Sequence, residues 1–138
     1  MPIGAPRVGQ VIRYSFLWSN GHEKERPAVI VVATKKEKDG KYRVAVMPIT
    51  HTPHQESPTA IEIPQQLKRH LKLDHEKSWI IVDEINEFEW PGFDLRPVPE
   101  TDGMWEYGQI PPKLHGMIIE RLCQLEKSGA VNIIPRDE

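Results

Sequence analysis

Hydrophobic positions fall in short runs separated by turn-forming residues. From Val8 to Trp18, the residues Val11, Ile12, Tyr14, Phe16 and Trp18 give partial alternation, which predicts a first strand. Gly9, just inside it, marks a bulge or a close backbone approach. Ser19 to Arg26 reads as a polar loop whose Asn20-Gly21 pair signals a turn. Pro27 to Ala33 is almost continuously apolar, the pattern of a central strand buried on both faces. Asp39-Gly40 is a hairpin cue. It leads into Tyr42 to Ile49, where Tyr42, Val44 and Val46 alternate with Arg43, Ala45 and Met47. These three segments predict an antiparallel meander.

Downstream the pattern is sparser. Thr50 to Pro58 is polar and broken by proline, hence loop, and Ala60 to Ile63 is a short strand. Pro64 to Leu71 starts a short helix, with proline in its first turn and Leu67 and Leu71 four apart. Ser78 to Val82 is a further strand ending at Asp83-Glu84. Residues 86–109 show neither period and are expected to be irregular. The clearest helix is Pro111 to Lys127, with Leu114, Met117, Ile118, Leu122 and Leu125 on one face and Gly129 just past its end. Val131 to Ile134 offers a last edge strand.

Composition agrees with that reading. Ile and Val number 24 against 8 Leu and 6 Ala, and β-branched side chains sit best on pleated surfaces. The 13 prolines fit many short segments joined by turns. A mostly β chain of five or six strands with a C-terminal helix suits a small, partly open barrel. At 138 residues one domain is expected, residues 1–138, with a core that needs no staples. The single Cys123 excludes an intramolecular disulfide and fits a reducing cytoplasm, and in the middle of a helix it reads as a small buried hydrophobe. No apolar run approaches a membrane span, and the N-terminus has no export pattern, so a cytoplasmic location is expected.

Candidate chemistry is limited. His51 and His54 are separated by two residues, but no cysteine or second matched pair completes a zinc set, and solvated loop histidines are the simpler account. No metal or other cofactor is expected. Glycine-rich phosphate loops are absent. What remains is a set of polar residues where apolar strands end: Arg26, Thr50 and Asp83, with His22 and Glu23 in the loop before Arg26. Arginine offers a planar fork to phosphate oxygens and threonine a hydroxyl donor, while His and Asp can move protons. The same Arg and Asp could equally form a surface ion pair.

Four segments resemble the MazF/PemK (Kid) family of toxins from bacterial toxin–antitoxin pairs. They are Gly9-Gln10-Val11-Ile12, Gly21-His22-Glu23 followed by Arg26-Pro27-Ala28-Val29-Ile30-Val31, Val46-Met47-Pro48-Ile49-Thr50, and Val82-Asp83-Glu84-Ile85. Ile119-Glu120-Arg121-Leu122 sits where the family has its closing helix. The resemblance implies an SH3-like barrel of five to seven strands with a C-terminal α-helix, a homodimer, and a cognate antitoxin partner. It also implies metal-independent, sequence-selective cleavage of single-stranded RNA (mRNA), with the substrate's own 2′-hydroxyl attacking the adjacent phosphate. On that likeness Arg26 stabilises the phosphoryl charge, Thr50 hydrogen-bonds the phosphate, Asp83 is the general base and His22 assists. Glu23 and Lys24, with His51 and Thr52, are the flanking residues expected to touch RNA.

The chain departs from the PemK pattern where an arginine two residues before the aspartate is replaced by Ile81. Residues 87–108, acidic and carrying Trp90, Phe93 and Trp105, have no counterpart and read as an insertion. They could shield a basic groove, dock the antitoxin, or be a solvated insertion anchored by its aromatics. Two other functions remain open: a non-enzymatic SH3-like binding module, including a CcdB-like toxin that binds gyrase, and a degenerate inactive relative. The net charge of −2 argues at first against nucleic acid. Resolved by region it does not, because residues 1–50 carry +5 and residues 76–110 carry −7. The front half is basic enough to attract phosphates.

Overall fold

The fold grows from three long antiparallel strands. In the computed structural model, which describes residues 4–52, 59–74 and 76–136, they are β1 (Gln10–Leu17), β2 (Glu23–Lys35) and β3 (Tyr42–Thr50). β1 pairs with β2 from Val11↔Val29 to Leu17↔Glu23, and β2 pairs with β3 from Ala28↔Pro48 to Lys35↔Tyr42. Gly40, at φ +72°, takes the left-handed turn position that the Asp-Gly pair predicts.

The meander is as expected, but β2 starts earlier than its apolar run. Glu23, Lys24, Glu25 and Arg26 are paired strand residues rather than loop. The partner strand β1 supplies the backbone hydrogen bonds, so these positions need no apolar side chain to stay extended. The pairing with Tyr14 fixes Arg26 on a rigid element.

Both faces of the meander are apolar. Val11, Val29, Val31, Ala45, Met47 and Ile49 belong to one core, while Ile12, Tyr14, Phe16, Ala28, Ile30, Val44 and Val46 belong to a second. A register shift between Ile30 and Val32 leaves Val31 as an extra residue in β2. It reverses the alternation, so Ala33 packs on the second core and Val32 is exposed. The Val31 carbonyl accepts a hydrogen bond from His115 Nε2 at 3.0 Å instead of from a strand.

β3 is shared along its other edge. Its C-terminal end pairs with β5 (Trp79–Ile81), which pairs in turn with β4 (Ala60–Glu62). Its N-terminal half pairs with β6 (Glu84–Glu89), and β8 (Asn132–Pro135) runs parallel beside β6. β7 (Glu106–Gln109) pairs with β1, at a bulge where Gly108 lies against Leu71. The eight strands, antiparallel except for the β6–β8 pair, form a sheet that does not close, a partly open barrel. Two helices complete it, α1 (Gln65–His70) and the C-terminal α2 (Pro112–Lys127). Among the described residues, no helix is long and apolar enough to cross a membrane.

The expectation of an irregular 86–109 is overturned. Most of β6 and all of β7 lie there, and Leu95 bridges to Tyr14. The alternation of β6 was hidden by two buried polar residues. Asn86 accepts from Leu17 N at 2.9 Å and donates to Leu17 O at 2.8 Å, and Glu84 accepts from Ser19 N at 2.8 Å and Ser19 Oγ at 2.6 Å. Such groups sit in a core because each is hydrogen-bonded. Trp90, Trp105 and Leu95 cover the second core, while α2 covers the first with Leu114, Ile118, Leu122 and Leu125. Met117 was expected on that buried face but is exposed, since it falls one position off the stripe. Cys123 is likewise exposed, between the buried Leu122 and Leu125.

Candidate active site

A cleft of about 470 Å³ opens beside the first half of β2 and the end of β3. Its walls come from Arg13 on β1, Lys24 to Pro27 on β2, Ile49 to His51 at the end of β3, Lys72 to Asp74 after α1, and Tyr107 on β7. Val98, Pro99 and Glu100 complete the rim from the loop between β6 and β7. The cations Arg13, Lys24, Arg26 and Lys72 face it together with the acids Glu25, Asp74 and Glu100.

Arg26 is half-buried with little to balance its charge. Its Nη1 donates to the carbonyl of Ile49 at 3.5 Å, which places the guanidinium beside Thr50. Nε is buried without a hydrogen-bond partner, and among the described residues no carboxylate comes within ion-pair distance. Trp18 supports the group from one side, the guanidinium carbon lying 5.1 Å from the ring centre. Burial, and then the nearby charge of Arg13, hold Arg26 below the ordinary arginine value.

Arg13 is the contrasting case. It donates from Nε to Glu25 at 3.0 Å and from Nη1 to Tyr107 Oη at 3.1 Å. Burial works against its charge, but the bonds to Tyr107 and Glu25 outweigh it and hold Arg13 above the ordinary value. Thr50 Oγ1 accepts from Thr52 N at 3.2 Å, which leaves the hydroxyl proton to be donated into the cleft.

The remaining expected residues divide. Lys24 and His51 line the cleft with Arg26 and Thr50; Thr52 is exposed one residue beyond it. Glu23 turns to the other wall of β1, accepting from Ser15 Oγ at 2.6 Å and Arg136 Nη2 at 3.1 Å. Those two bonds lower its carboxyl below the usual range. His22 is exposed in the β1–β2 turn, where its carbonyl accepts from Trp18 N at 2.8 Å. Asp83 lies in the β5–β6 turn, with its carbonyl accepting from Asn132 N at 2.8 Å. Neither His22 nor Asp83 is among the residues that line the cleft.

A model of the PemK-like, MazF-like toxins of type II toxin–antitoxin systems matches residues 7–90, more than half of the chain. The chain belongs to this family. No curated protein sequence matches it. The PemK-like match runs from the start of β1 through β6, so Arg26, Thr50 and Asp83 all fall inside it. β7, α2 and β8 lie beyond it, and so do four cleft residues, Val98, Pro99, Glu100 and Tyr107.

Several lining residues escaped the sequence reading. Arg13 left one signal, a charge in the middle of the apolar β1 run. Glu25, Lys72, Asp74 and Tyr107 left none, because only the folding of distant segments brings them together. Of the His51/His54 pair, His54 lies outside the described residues. His51 Nε2 instead approaches Asp74 Oδ2 at 2.7 Å, and Lys68 Nζ lies 2.9 Å from Asp74 Oδ1. Glu76 comes within reach of the same group. Asp74 is already held by a lysine on its other oxygen, so this is an ion-pair chain rather than a set of donors waiting for a cation.

Proposed function

We propose that the chain is an endoribonuclease that cuts single-stranded RNA in this cleft without a metal ion. The 2′-hydroxyl oxygen of the substrate attacks the adjacent phosphorus, the bond to the 5′ oxygen breaks, and the products are a cyclic phosphate and a 5′-hydroxyl end. The reading rests on Arg26, a half-buried guanidinium next to a threonine hydroxyl and, among the described residues, with no carboxylate partner. A cation that loses part of its water without gaining a counter-charge is costly, and a phosphate entering the cleft offsets that cost.

In this reading Arg26 supports the charge that grows on the non-bridging oxygens, and Thr50 Oγ1–H donates to one of them. Lys24 and Lys72 draw the backbone toward the cleft. Asp83 and His22, the proton movers implied by the family likeness, stand outside the cleft wall, and a substrate strand would have to extend past the cleft to meet them. The family's cognate antitoxin and a homodimeric state belong to the same proposal.

The test is incubation of antitoxin-free protein with long RNA in EDTA. The expected outcome is fragments with 5′-hydroxyl ends that Arg26→Ala abolishes. Intact RNA under these conditions, together with growth arrest and inhibited supercoiling, would instead support a protein-binding toxin.

A further inference from the structure

We infer that His51 is the general base of the cleft and that Asp74, locked by the buried Lys68, positions it. The inference deepens the ribonuclease reading and depends on it. It starts from Lys68, a lysine on α1 whose side chain is only 1% exposed. A buried ammonium must be paired, and its partner is Asp74 Oδ1 at 2.9 Å. That contact fixes the carboxylate plane, and the other oxygen, Oδ2, lies 2.7 Å from His51 Nε2. In the tautomer that carries its proton on Nε2, facing the carboxylate, Nδ1 of the neutral ring presents a lone pair.

Nδ1 is 3.8 Å from Glu76, too far for a hydrogen bond, and the side chain is 45% exposed. His51 and Asp74 both line the cleft, and His51 follows Thr50 directly. A phosphate held by Arg26 and Thr50 therefore sits beside an oriented imidazole. Asp74 and Glu76 face the ring directly, and the charged groups that share the cleft with it are Lys72 after α1, Arg13 on β1, Lys24, Glu25 and Arg26 on β2, and Glu100 in the β6–β7 loop. Partial burial works against the Asp74 charge, but the Lys68 hydrogen bond and the Lys68 charge, with that of His51 when its ring is protonated, prevail and keep Asp74 below the usual carboxylate range. It stays an anion through the pH range in which the imidazole works.

The proton count closes on one group. Nδ1 takes the proton of the 2′-hydroxyl as the new oxygen–phosphorus bond forms, and Asp74 stabilises the resulting imidazolium. As the phosphorus–5′-oxygen bond breaks, the imidazolium returns that proton to the leaving oxygen. The arrangement is a histidine–aspartate pair acting on a ribose hydroxyl, with the lysine behind it as a positioning residue.

The experiment measures single-turnover cleavage of long RNA by the full chain across pH, alongside RNA binding. With the wild type, the rate should fall on the acid side as the imidazole protonates. His51→Gln should lower the rate about 100-fold or more, a typical loss for a general base. It should flatten that limb, leave RNA binding within about two-fold, and be partly rescued by added imidazole. Asp74→Asn should slow cleavage, and Asp74→Glu, which keeps a carboxylate for the ring, should restore part of the rate, a rescue that a purely structural role would not show. Wild-type protein that leaves RNA intact overturns this inference together with the ribonuclease reading. Cleavage that survives His51→Gln, or that Asp83→Asn abolishes while His51→Gln spares it, overturns this inference alone.

Discussion

The guanidinium carbon of Arg26 stands 5.1 Å from the centre of the Trp18 ring, near the turn end of the β1–β2 hairpin. The indole holds the arginine in place without neutralising it. A carboxylate there would fix the side chain equally well but would compete with a phosphate. Arg26→Ala should therefore lower RNA cleavage by about 100-fold or more, the usual loss when a charge-stabilising donor is removed. Trp18→Leu should cost about ten-fold or less, since it removes only the cation–π support. Initial rates on one RNA substrate check both.

The cationic wall sets a salt dependence. Lys24 lines the cleft and makes no ion pair among the described residues. Lys24→Ala should weaken RNA binding across sequences and reduce the slope of log K against log salt by about 0.7, the value for one phosphate contact on a single strand. Binding isotherms at several salt concentrations measure it. An unchanged slope would remove Lys24 from the interface.

Glu100 projects the acidic segment onto the rim of the same cleft. Glu100→Gln should raise RNA affinity at low salt, with the gain shrinking as salt screens the charge. Deleting residues 87–108 would not ask the same question, because Trp90, Leu95 and Trp105 cover the second core. The substitution keeps that cover, and equal affinities for the two proteins would dispose of a shielding role.

Asn86 is fully buried and pairs both with the N–H and with the carbonyl of Leu17, while also accepting from Arg136 at 3.2 Å. Asn86→Ala strands two backbone groups and should destabilise the fold by about 2–3 kcal/mol. Denaturant titration reads the difference directly. A variant as stable as wild type would mean that water replaces the side chain.

Acid should weaken the fold both at the cleft wall, through Asp74, and outside it, through Glu23. Asp74 and Glu23 are both held below their usual values, Asp74 by Lys68 and His51 despite its partial burial, and Glu23 by Ser15 and Arg136. A carboxyl lowered on folding stabilises the native state above its unfolded value of about 4 and loses that contribution as pH falls through the folded value. Because Asp74 is half exposed, screening keeps its share below about 1 kcal/mol. Melting temperatures should decline below about pH 4, and Asp74→Asn should show a shallower decline than wild type.

Periodicity alone determined the meander, the position of α2 and the mostly β class, because strand and helix each bury side chains at a fixed spacing and Pro, Gly and Asp-Gly mark where the spacing stops. The likeness in four short segments pointed to Arg26 and Thr50, which are close in space because β2 and β3 are neighbours in the hairpin the sequence predicts. The sequence did not place β6, where Glu84 and Asn86 interrupt the apolar alternation and are satisfied by Ser19 and Leu17, more than 60 residues away. Nor did it extend β2 through Glu23 to Arg26, since an extended backbone can be held entirely by its partner strand. The same limit applies to the cleft. Arg13, Asp74 and Tyr107 meet Arg26 only after four separate elements pack, and whether a histidine or an aspartate faces a bound phosphate depends on distances that no local pattern encodes. Local spacing fixes which elements form; the long-range packing of charged groups decides which of their side chains share a site.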